Sequence, residues 1–96
     1  MEDKIGYGVV GLGIGRAHAD GVLRSERGKL VAVCDIDPVR LGKFKSEHPD
    51  VEAYADFSDL LRDERIKIVS ICVPSGIHAK LTVEALEAGK HVLVEK

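Results

Sequence analysis

Residues 6–19 read GYGVVGLGIGRAHA, and the five glycines in this run are more than one phosphate-binding loop needs. The literal G-x-G-x-x-G match, at residues 6–11, begins close to the N-terminus and contains Val9 and Val10, which a first buried strand requires. A phosphate loop must follow a strand and open a helix, so that free N–H groups face the anion. We therefore interpret Gly6 and Gly8 as strand glycines.

The tighter run Gly11, Gly13 and Gly15 has the required context, because a strand precedes it and a helical pattern extends from about residue 15 to residue 26. We expect Gly11 to make the turn, Gly13 to admit a pyrophosphate against bare backbone, and Gly15 to let helix and sheet approach closely. Ile14 lies in the same loop and is a further candidate contact. The alternative is a glycine-rich turn without a ligand.

A second strand ends at Asp35, 20 residues after Gly15. An acid at this distance can accept hydrogen bonds from the adenosine ribose hydroxyls, and it repels a 2′-phosphate, which favours NAD over NADP. Ile36 follows it and is a second candidate cofactor contact. Asp35 could instead be a solvated turn residue or a helix cap, but Asp37 before Pro38 already supplies the cap of the next helix.

The rest of the chain alternates between strand and helix patterns with short connections. We predict strands at residues 5–10, 30–34, 66–73 and 91–94 and a weaker one at 51–54. Helices are predicted to begin at about residue 15, at residue 38, between residues 56 and 58, and at residue 77. This order predicts an α/β fold, a doubly wound parallel sheet of about five strands that forms one domain over residues 1–96. Ligands of such sheets bind at the carboxyl ends of the strands.

Composition excludes several other classes. The 96 residues carry a net charge of −2 without a basic stripe, which argues against nucleic acid and membrane-surface partners. No apolar run approaches the roughly 20 residues of a membrane span, and no signal peptide is evident, so we expect a cytoplasmic protein. Cys34 and Cys72 lie in apolar runs and are expected to be buried thiols, since neither a disulfide framework nor a metal site is indicated.

Three motifs resemble those of the glucose-fructose oxidoreductase, inositol dehydrogenase and rhizopine catabolism (Gfo/Idh/MocA) family. They are the G-x-G-x-G-R-x-H run at 11–18, VPSGIH at 73–78 and AGKHVLVEK at 88–96, whose last two residues look like the start of the family's Glu-Lys-Pro motif. The resemblance covers the chain as the family's N-terminal Rossmann domain. It implies an NAD-dependent dehydrogenase acting on a sugar, polyol or sugar derivative, with a further domain for substrate and a homo-oligomer interface.

The resemblance also implies roles for residues in the C-terminal half. Val73, Pro74 and Ser75, with His78, would pass alongside the cofactor; the family commonly has Asn where Ser75-Gly76 stands, which leaves a backbone contact or none there. Glu95 would lie near the nicotinamide ribose. Lys96 would orient the substrate hydroxyl and assist its proton transfer as the catalytic residue.

Two other functions share the glycine loop and Asp35. A stand-alone nucleotide-binding or redox-sensing module would need nothing more than these features. A methyltransferase that binds S-adenosylmethionine would also use them, but it gives no reason for the terminal Glu-Lys. We expect the isolated 96 residues to bind NAD with little or no turnover, because hydride transfer needs a positioned substrate and a water-poor site.

Overall fold

The computed structural model describes residues 4–13 and 15–94, and within these residues five parallel strands form one sheet. The strands are β1 (Ile5–Val10), β2 (Gly28–Cys34), β3 (Glu52–Tyr54), β4 (Ile68–Ile71) and β5 (His91–Val94). The helices are α1 (Arg16–Arg24), α2 (Pro38–Glu47), α3 (Phe57–Leu61) and α4 (His78–Glu87), and a 3₁₀ turn (Ser75–Ile77) precedes α4.

The strand order is β3-β2-β1-β4-β5. The chain therefore winds outward from β1 to β3, crosses back, and winds outward again through β4 to β5. The direction reverses between the neighbouring strands β1 and β4, which pair in parallel from Tyr7 with Ile68 to Val10 with Ile71. This arrangement confirms the doubly wound α/β fold predicted from the sequence, and it places the switch point beside the glycine loop.

Each face of the sheet carries its own apolar core. On one face α1 and α2 pack on the sheet through Ala19, Val22 and Phe44. On the other face α3 and α4 pack through Leu60 and Leu81. Neighbouring residues of β1 point to opposite faces, so that Val9 belongs to the first core and Val10 to the second. Strands buried on both faces explain the continuous apolar runs of the sequence.

Gly6 and Gly8 lie within β1, as interpreted from the sequence. A Cβ atom at Gly6 would collide with the carbonyl oxygen of Arg65, and one at Gly8 would lie 3.1 Å from side-chain atoms of Ile66 and Leu60. These two glycines therefore let the connection before β4 and the helix α3 pack closely on the first strand. Their role is structural, and the literal motif match at residues 6–11 is not a phosphate loop.

Several boundaries differ from the predicted ones. β4 is shorter than the predicted 66–73, although Ile66 before it is fully buried. α1 ends at Arg24 because the backbone of Ser25 is extended. α1 is also tied to β4 by a hydrogen bond between His18 Nε2 and the buried hydroxyl of Ser70, 2.8 Å apart. None of the helices within residues 4–13 and 15–94 combines the length and apolar content that a bilayer crossing requires.

Candidate functional site

The glycine loop connects β1 to α1 in a tight turn. Gly11 has φ +93°, a backbone conformation that side chains rarely adopt, and its missing Cβ leaves room for the carbonyl of Cys72. Gly15 is the N-cap of α1, and a Cβ there would collide with the Gly11 carbonyl oxygen and lie 2.8 Å from the Cys72 Cβ. The absence of side chains at both positions lets α1 begin directly against the end of β4.

The N-terminus of α1 has no side-chain cap. The N-cap residue Gly15 offers no side-chain acceptor, and the first turn of the helix contains no acid. The amide of Gly15 donates to the Gly11 carbonyl at 3.1 Å, and this bond closes the turn. Among the described residues, the positive end of α1 therefore has neither a capping side chain nor an acid in its first turn.

A cavity of about 410 Å³ lies at the carboxyl ends of the strands, in front of this loop. Gly11 and Gly13 line one side, and Asp35 lies at the end of β2. The remaining walls are mostly apolar, and they include Ile36, Ala55, Phe57, Val73, Pro74, Ile77 and Leu81. A largely apolar cleft with a few convergent polar groups is typical of sites for small ligands and cofactors.

Gly13 is exposed at the edge of this cavity, beside the side chain of Arg40. A Cβ placed on Gly13 would lie 3.7 Å from Arg40 Nη1, which is an ordinary contact, so the fold itself does not demand glycine there. This contrasts with Gly15, where packing does. The predicted contact Ile14 lies outside the described residues.

Asp35 is almost completely buried and accepts four hydrogen bonds. Its Oδ2 accepts from the Leu12 amide at 2.8 Å and from Arg40 Nε at 3.0 Å. Its Oδ1 accepts from the Asp37 amide at 2.8 Å and from Arg40 Nη2 at 3.1 Å. Burial alone would raise the pKa of the Asp35 carboxyl, but these hydrogen bonds outweigh it and lower the pKa below its usual value, so Asp35 is ionised at neutral pH.

The structure thereby changes one step of the sequence argument. Asp37 does cap α2, since its Oδ1 accepts from the Val39 amide at 2.9 Å. Asp35 does not cap that helix, as expected, but it is already engaged, because it binds the glycine loop through Leu12 and pairs with Arg40. Sequence reasoning missed Arg40. The signal in the sequence was an arginine in the first turn of a helix that starts three residues after a strand-end acid.

The segment after β4 forms the opposite wall of the cavity. Val73 and Pro74 line it, and Ser75 begins the 3₁₀ turn that leads into α4. His78 donates a hydrogen bond from Nε2 to the Val73 carbonyl, which links the start of α4 to the segment after β4. This structural contact gives His78 a function in the loop itself. Its role as a cofactor contact stays a prediction.

The sheet also brings the end of β5 to the same edge, because Val94 pairs with Ile71 at the end of β4. The predicted residues Glu95 and Lys96 lie outside the described residues. Ile36 is 92% exposed and lines the same cavity.

The comparisons with known proteins agree with this arrangement. The Gfo/Idh/MocA family model, described as an oxidoreductase family with an NAD-binding Rossmann fold, matches residues 5–96. Inositol 2-dehydrogenase of Rubrobacter xylanophilus is 40% identical over 96 residues, which cover 98% of this chain and 27% of that protein. The scyllo-inositol 2-dehydrogenase (NADP(+)) IolW of Bacillus subtilis is 30% identical over 94 residues, which cover 98% of this chain and 26% of that protein.

Solved structures show the same likeness. The crystal structure of scyllo-inositol dehydrogenase from Lactobacillus casei, with bound NAD(H) and scyllo-inositol, has a TM-score of 0.88 and 37% identity. The match covers 98% of this chain and 28% of that one. This chain therefore spans less than a third of the length of these proteins.

Proposed function

We propose that this chain, which belongs to the Gfo/Idh/MocA oxidoreductase family, is the NAD-binding part of a dehydrogenase that acts on a sugar, polyol or sugar derivative. The family and its NAD-binding Rossmann domain were both predicted from the sequence and are confirmed by the family model. One observation carries the proposal. The uncapped N-terminus of α1 follows directly on a glycine loop that lines the same cavity as Asp35.

The pyrophosphate of the dinucleotide would lie against this loop and the first turn of α1. Three amides of the loop are already used within the protein, since Gly11 donates to Cys34, Leu12 donates to Asp35 and Gly15 donates to Gly11. The amide of Gly13 and those of the first turn of α1 are therefore the donors that we assign to the phosphates. The partial positive charge of the helix terminus favours the anion further.

The adenosine would lie on the side of Asp35 and Ile36. The carboxylate of Asp35 would accept hydrogen bonds from the ribose hydroxyls, and the exposed side chain of Ile36 would cover an apolar face of the ligand. The nicotinamide would extend past Val73 and Pro74 toward the end of β5. When bound, the nicotinamide supplies the hydride acceptor for the reaction.

Lys96 is assigned to the substrate end of this arrangement. A lysine there would orient the substrate hydroxyl and accept its proton as the hydride leaves the adjoining carbon, while Glu95 would hold the nicotinamide ribose. The proposed substrate class is supported by the names of the relatives, which include inositol 2-dehydrogenases of two genera and a scyllo-inositol dehydrogenase. The cytoplasmic location and the homo-oligomer stay predictions.

Calorimetric titration of the chain with NAD tests the cofactor part of the proposal. We expect saturable binding, and we expect Asp35→Ala to weaken it by about 1–3 kcal/mol because charge-assisted hydrogen bonds to the ribose are lost. Gly42→Ala is the matched control, since Gly42 is an exposed glycine of α2 with no atom within 4 Å of an added Cβ. An absence of binding, or equal affinity in wild type and Asp35→Ala, would contradict it.

Formation of NADH from inositols by the full-length protein tests the enzymatic part. Lys96→Ala should lower kcat far more than it lowers NAD affinity, because the lysine would act in proton transfer. Equal losses in both quantities would move Lys96 from chemistry to cofactor binding. A full-length protein that binds NAD but oxidises no polyol or sugar would leave only a nucleotide-binding module.

A further inference from the structure

We propose that the face of β4 and β5 beside α1 is a docking surface for a helix of the full-length protein that lies beyond residue 96. The inference rests on the proposed function, since it takes this chain to be one part of a longer dehydrogenase. Its basis is the α1 groove, a cavity of about 300 Å³ between α1 and the sheet. The groove is lined by residues that include Ala17, His18 and Gly21 of α1, Tyr7 of β1 and Leu93 of β5.

The α1 groove lies on a part of the sheet that is covered on one face. Val92 packs against the core beneath α3 and α4, so its neighbour Leu93 points to the opposite face, where it is 43% exposed. In β4, Ile71 belongs to the same core as Val92, whereas Ser70 points toward α1 and is hydrogen-bonded to His18. Among the described residues, the helix that packs on β5 is α4, on the far side from the groove.

A parallel sheet of this type is ordinarily covered by helices on both faces. Here α1 packs mainly on β1 and β2, and α2 packs on β3, so this helix layer ends before it reaches β5. The apolar side chain of Leu93 is left at the edge of the layer. The α1 groove is therefore the position at which a further helix would complete the layer.

A continuation of the sheet would not fill the α1 groove. Crossovers between parallel strands are right-handed, so the direction of winding decides which face a crossover helix covers. α1 and α2 follow the winding from β1 to β3, whereas α3 and α4, on the other face, follow the winding back and outward to β5. A crossover from β5 to a strand beside it would keep the direction of α4 and lie on the face of α4. The helix in the groove therefore belongs to a segment that is not a crossover of this sheet.

The lining of the groove and the length of the relatives favour a segment of the same protein. Among the described residues that line the groove there is no Asp, Glu, Lys or Arg, so the groove suits the apolar face of a helix. This chain spans less than a third of the length of its relatives, and the remainder is longer than a typical domain. A helix from that remainder would connect it to α1, the helix whose N-terminus we assign to the phosphates of NAD.

Thiol labelling of the full-length protein tests the inference through two matched glycines. Gly21 of α1 lines the groove, whereas Gly42 lies in α2; both are exposed, and neither has an atom within 4 Å of an added Cβ. Each labelling rate is divided by the rate of the same variant in urea. We expect Gly21→Cys to be alkylated at least about tenfold more slowly than Gly42→Cys. In the 96-residue chain, which lacks the proposed helix, the two rates should agree within about threefold.

A crosslinking experiment identifies the occupant of the groove. A benzophenone attached to Gly21→Cys, in a mixture of isotope-labelled and unlabelled full-length protein, should link to a peptide of the same molecule beyond residue 96. Crosslinks between labelled and unlabelled molecules would mean that a second copy fills the groove, and they would overturn the inference. Ala17→Cys, which also lines the groove, replaces Gly21→Cys if that variant does not fold.

The remaining outcomes separate the inference from the function beneath it. Equal labelling of Gly21→Cys and Gly42→Cys in the full-length protein overturns the inference, because the groove would then be open to solvent. Protection of Gly21→Cys that already exists in the 96-residue chain overturns it as well. The proposed function fails by a different measurement, since a full-length protein that binds no NAD would contradict it whatever the labelling rates are.

Discussion

Several turns of this domain contain an aspartate whose side chain accepts a hydrogen bond from the backbone amide two residues later. Asp35, Asp37, Asp56 and Asp63 each accept a hydrogen bond from the amide two positions further on, at 2.8 to 3.1 Å. A short acidic side chain holds such a turn because it replaces a backbone acceptor at little conformational cost. Two of the four, Asp37 and Asp56, cap helices, as their position before an apolar helical pattern predicts.

Sequence reasoning reached these local contacts but not the distant ones. A helix cap involves residues two or three positions apart, so their types and their spacing in the sequence are enough to predict it. The pair of Asp35 with Arg40 and the bond from Leu12 to Asp35 depend on how β2 meets α2 and the glycine loop. Tertiary geometry of this kind decides which donors reach a carboxylate, so the sequence could offer Arg40 at most as a candidate partner from its place in the first turn of α2.

The contribution of Asp63 to the free energy of unfolding depends on pH and can be tested. Asp63 accepts from the amide, Nε and Nη2 of Arg65 and from the hydroxyl of Tyr54, and hydrogen bonding to the Arg65 side chain lowers its pKa to about 2. Because the folded pKa lies below the unfolded value of about 3.9, the ionised form stabilises the native state above pH 4. This contribution is lost as the pH falls toward 2.

Asp63→Asn should therefore lower the free energy of unfolding at pH 7 by about 1 kcal/mol, discounted for the solvent near Arg65. The difference from wild type should shrink as the pH is lowered from 4 to about 2, as measured by urea denaturation at each pH. Asp59→Asn is the control, because Asp59 and Arg62 form a mostly exposed pair along one helix and such a pair contributes only about 0.3–0.5 kcal/mol. A pH-independent difference for Asp63→Asn would contradict the assignment.

At the scale of elements, the helices differ in how they begin. Aspartate side chains cap α2 and α3, whereas α1 and α4 have no side-chain cap. The two uncapped helices follow β1 and β4, the neighbouring strands between which the winding reverses. The two helix termini without side-chain caps therefore lie at the edge of the sheet where this type of fold binds its ligands.

The order of strands and helices followed from the sequence because buried strands and amphipathic helices have distinct periodicities. The weak strand at 51–54 is real, although only Glu52–Tyr54 pairs with β2. The 3₁₀ turn at Ser75–Ile77 was not predicted, since it arises from the direction in which the chain leaves β4. The spacing of the glycines predicted that Gly15 lets α1 pack closely on the sheet, and its close neighbours Gly11 and Cys72 confirm this.

Gly15 gives a prediction about the contact between α1 and β4. Gly15→Ala should lower the free energy of unfolding by about 2–3 kcal/mol, because the new Cβ meets the Gly11 carbonyl and the Cys72 side chain and must displace α1. Gly21→Ala in the same helix has no atom within 4 Å of its Cβ and should stabilise by up to about 1 kcal/mol. Urea denaturation of both variants measures the difference, and equal effects would contradict this packing.

At the scale of the whole molecule, the sheet makes the two cores interdependent. β1 and β2 each contribute residues to both cores, so disrupting either strand would expose apolar residues of both faces. Cys34 and Cys72 lie at the carboxyl ends of β2 and β4, one in each core, and are 3% and 2% exposed. Their thiols therefore report on opening of either face of the domain.

Thiol labelling tests whether the domain opens as one unit. Burial, followed by the charge of Asp35, raises the pKa of the Cys34 thiol to about 12, so the reactive thiolate is almost absent in the native state. We expect Cys34 and Cys72 to be alkylated at the same slow rate at pH 8, because both become accessible only on global unfolding. Mass spectrometry of the labelled peptides measures the two rates, and saturating NAD should slow both equally by mass action.

Ser46→Cys supplies the matched exposed thiol, since Ser46 lies on the outer surface of α2. It should be labelled fast and without any effect of NAD, because its reaction requires no opening. Labelling of Cys34 at that rate in a chain that retains its circular dichroism would mean that the α3 and α4 face opens by itself. Cys34 would then be labelled faster than Cys72, whereas a shared sheet predicts equal rates.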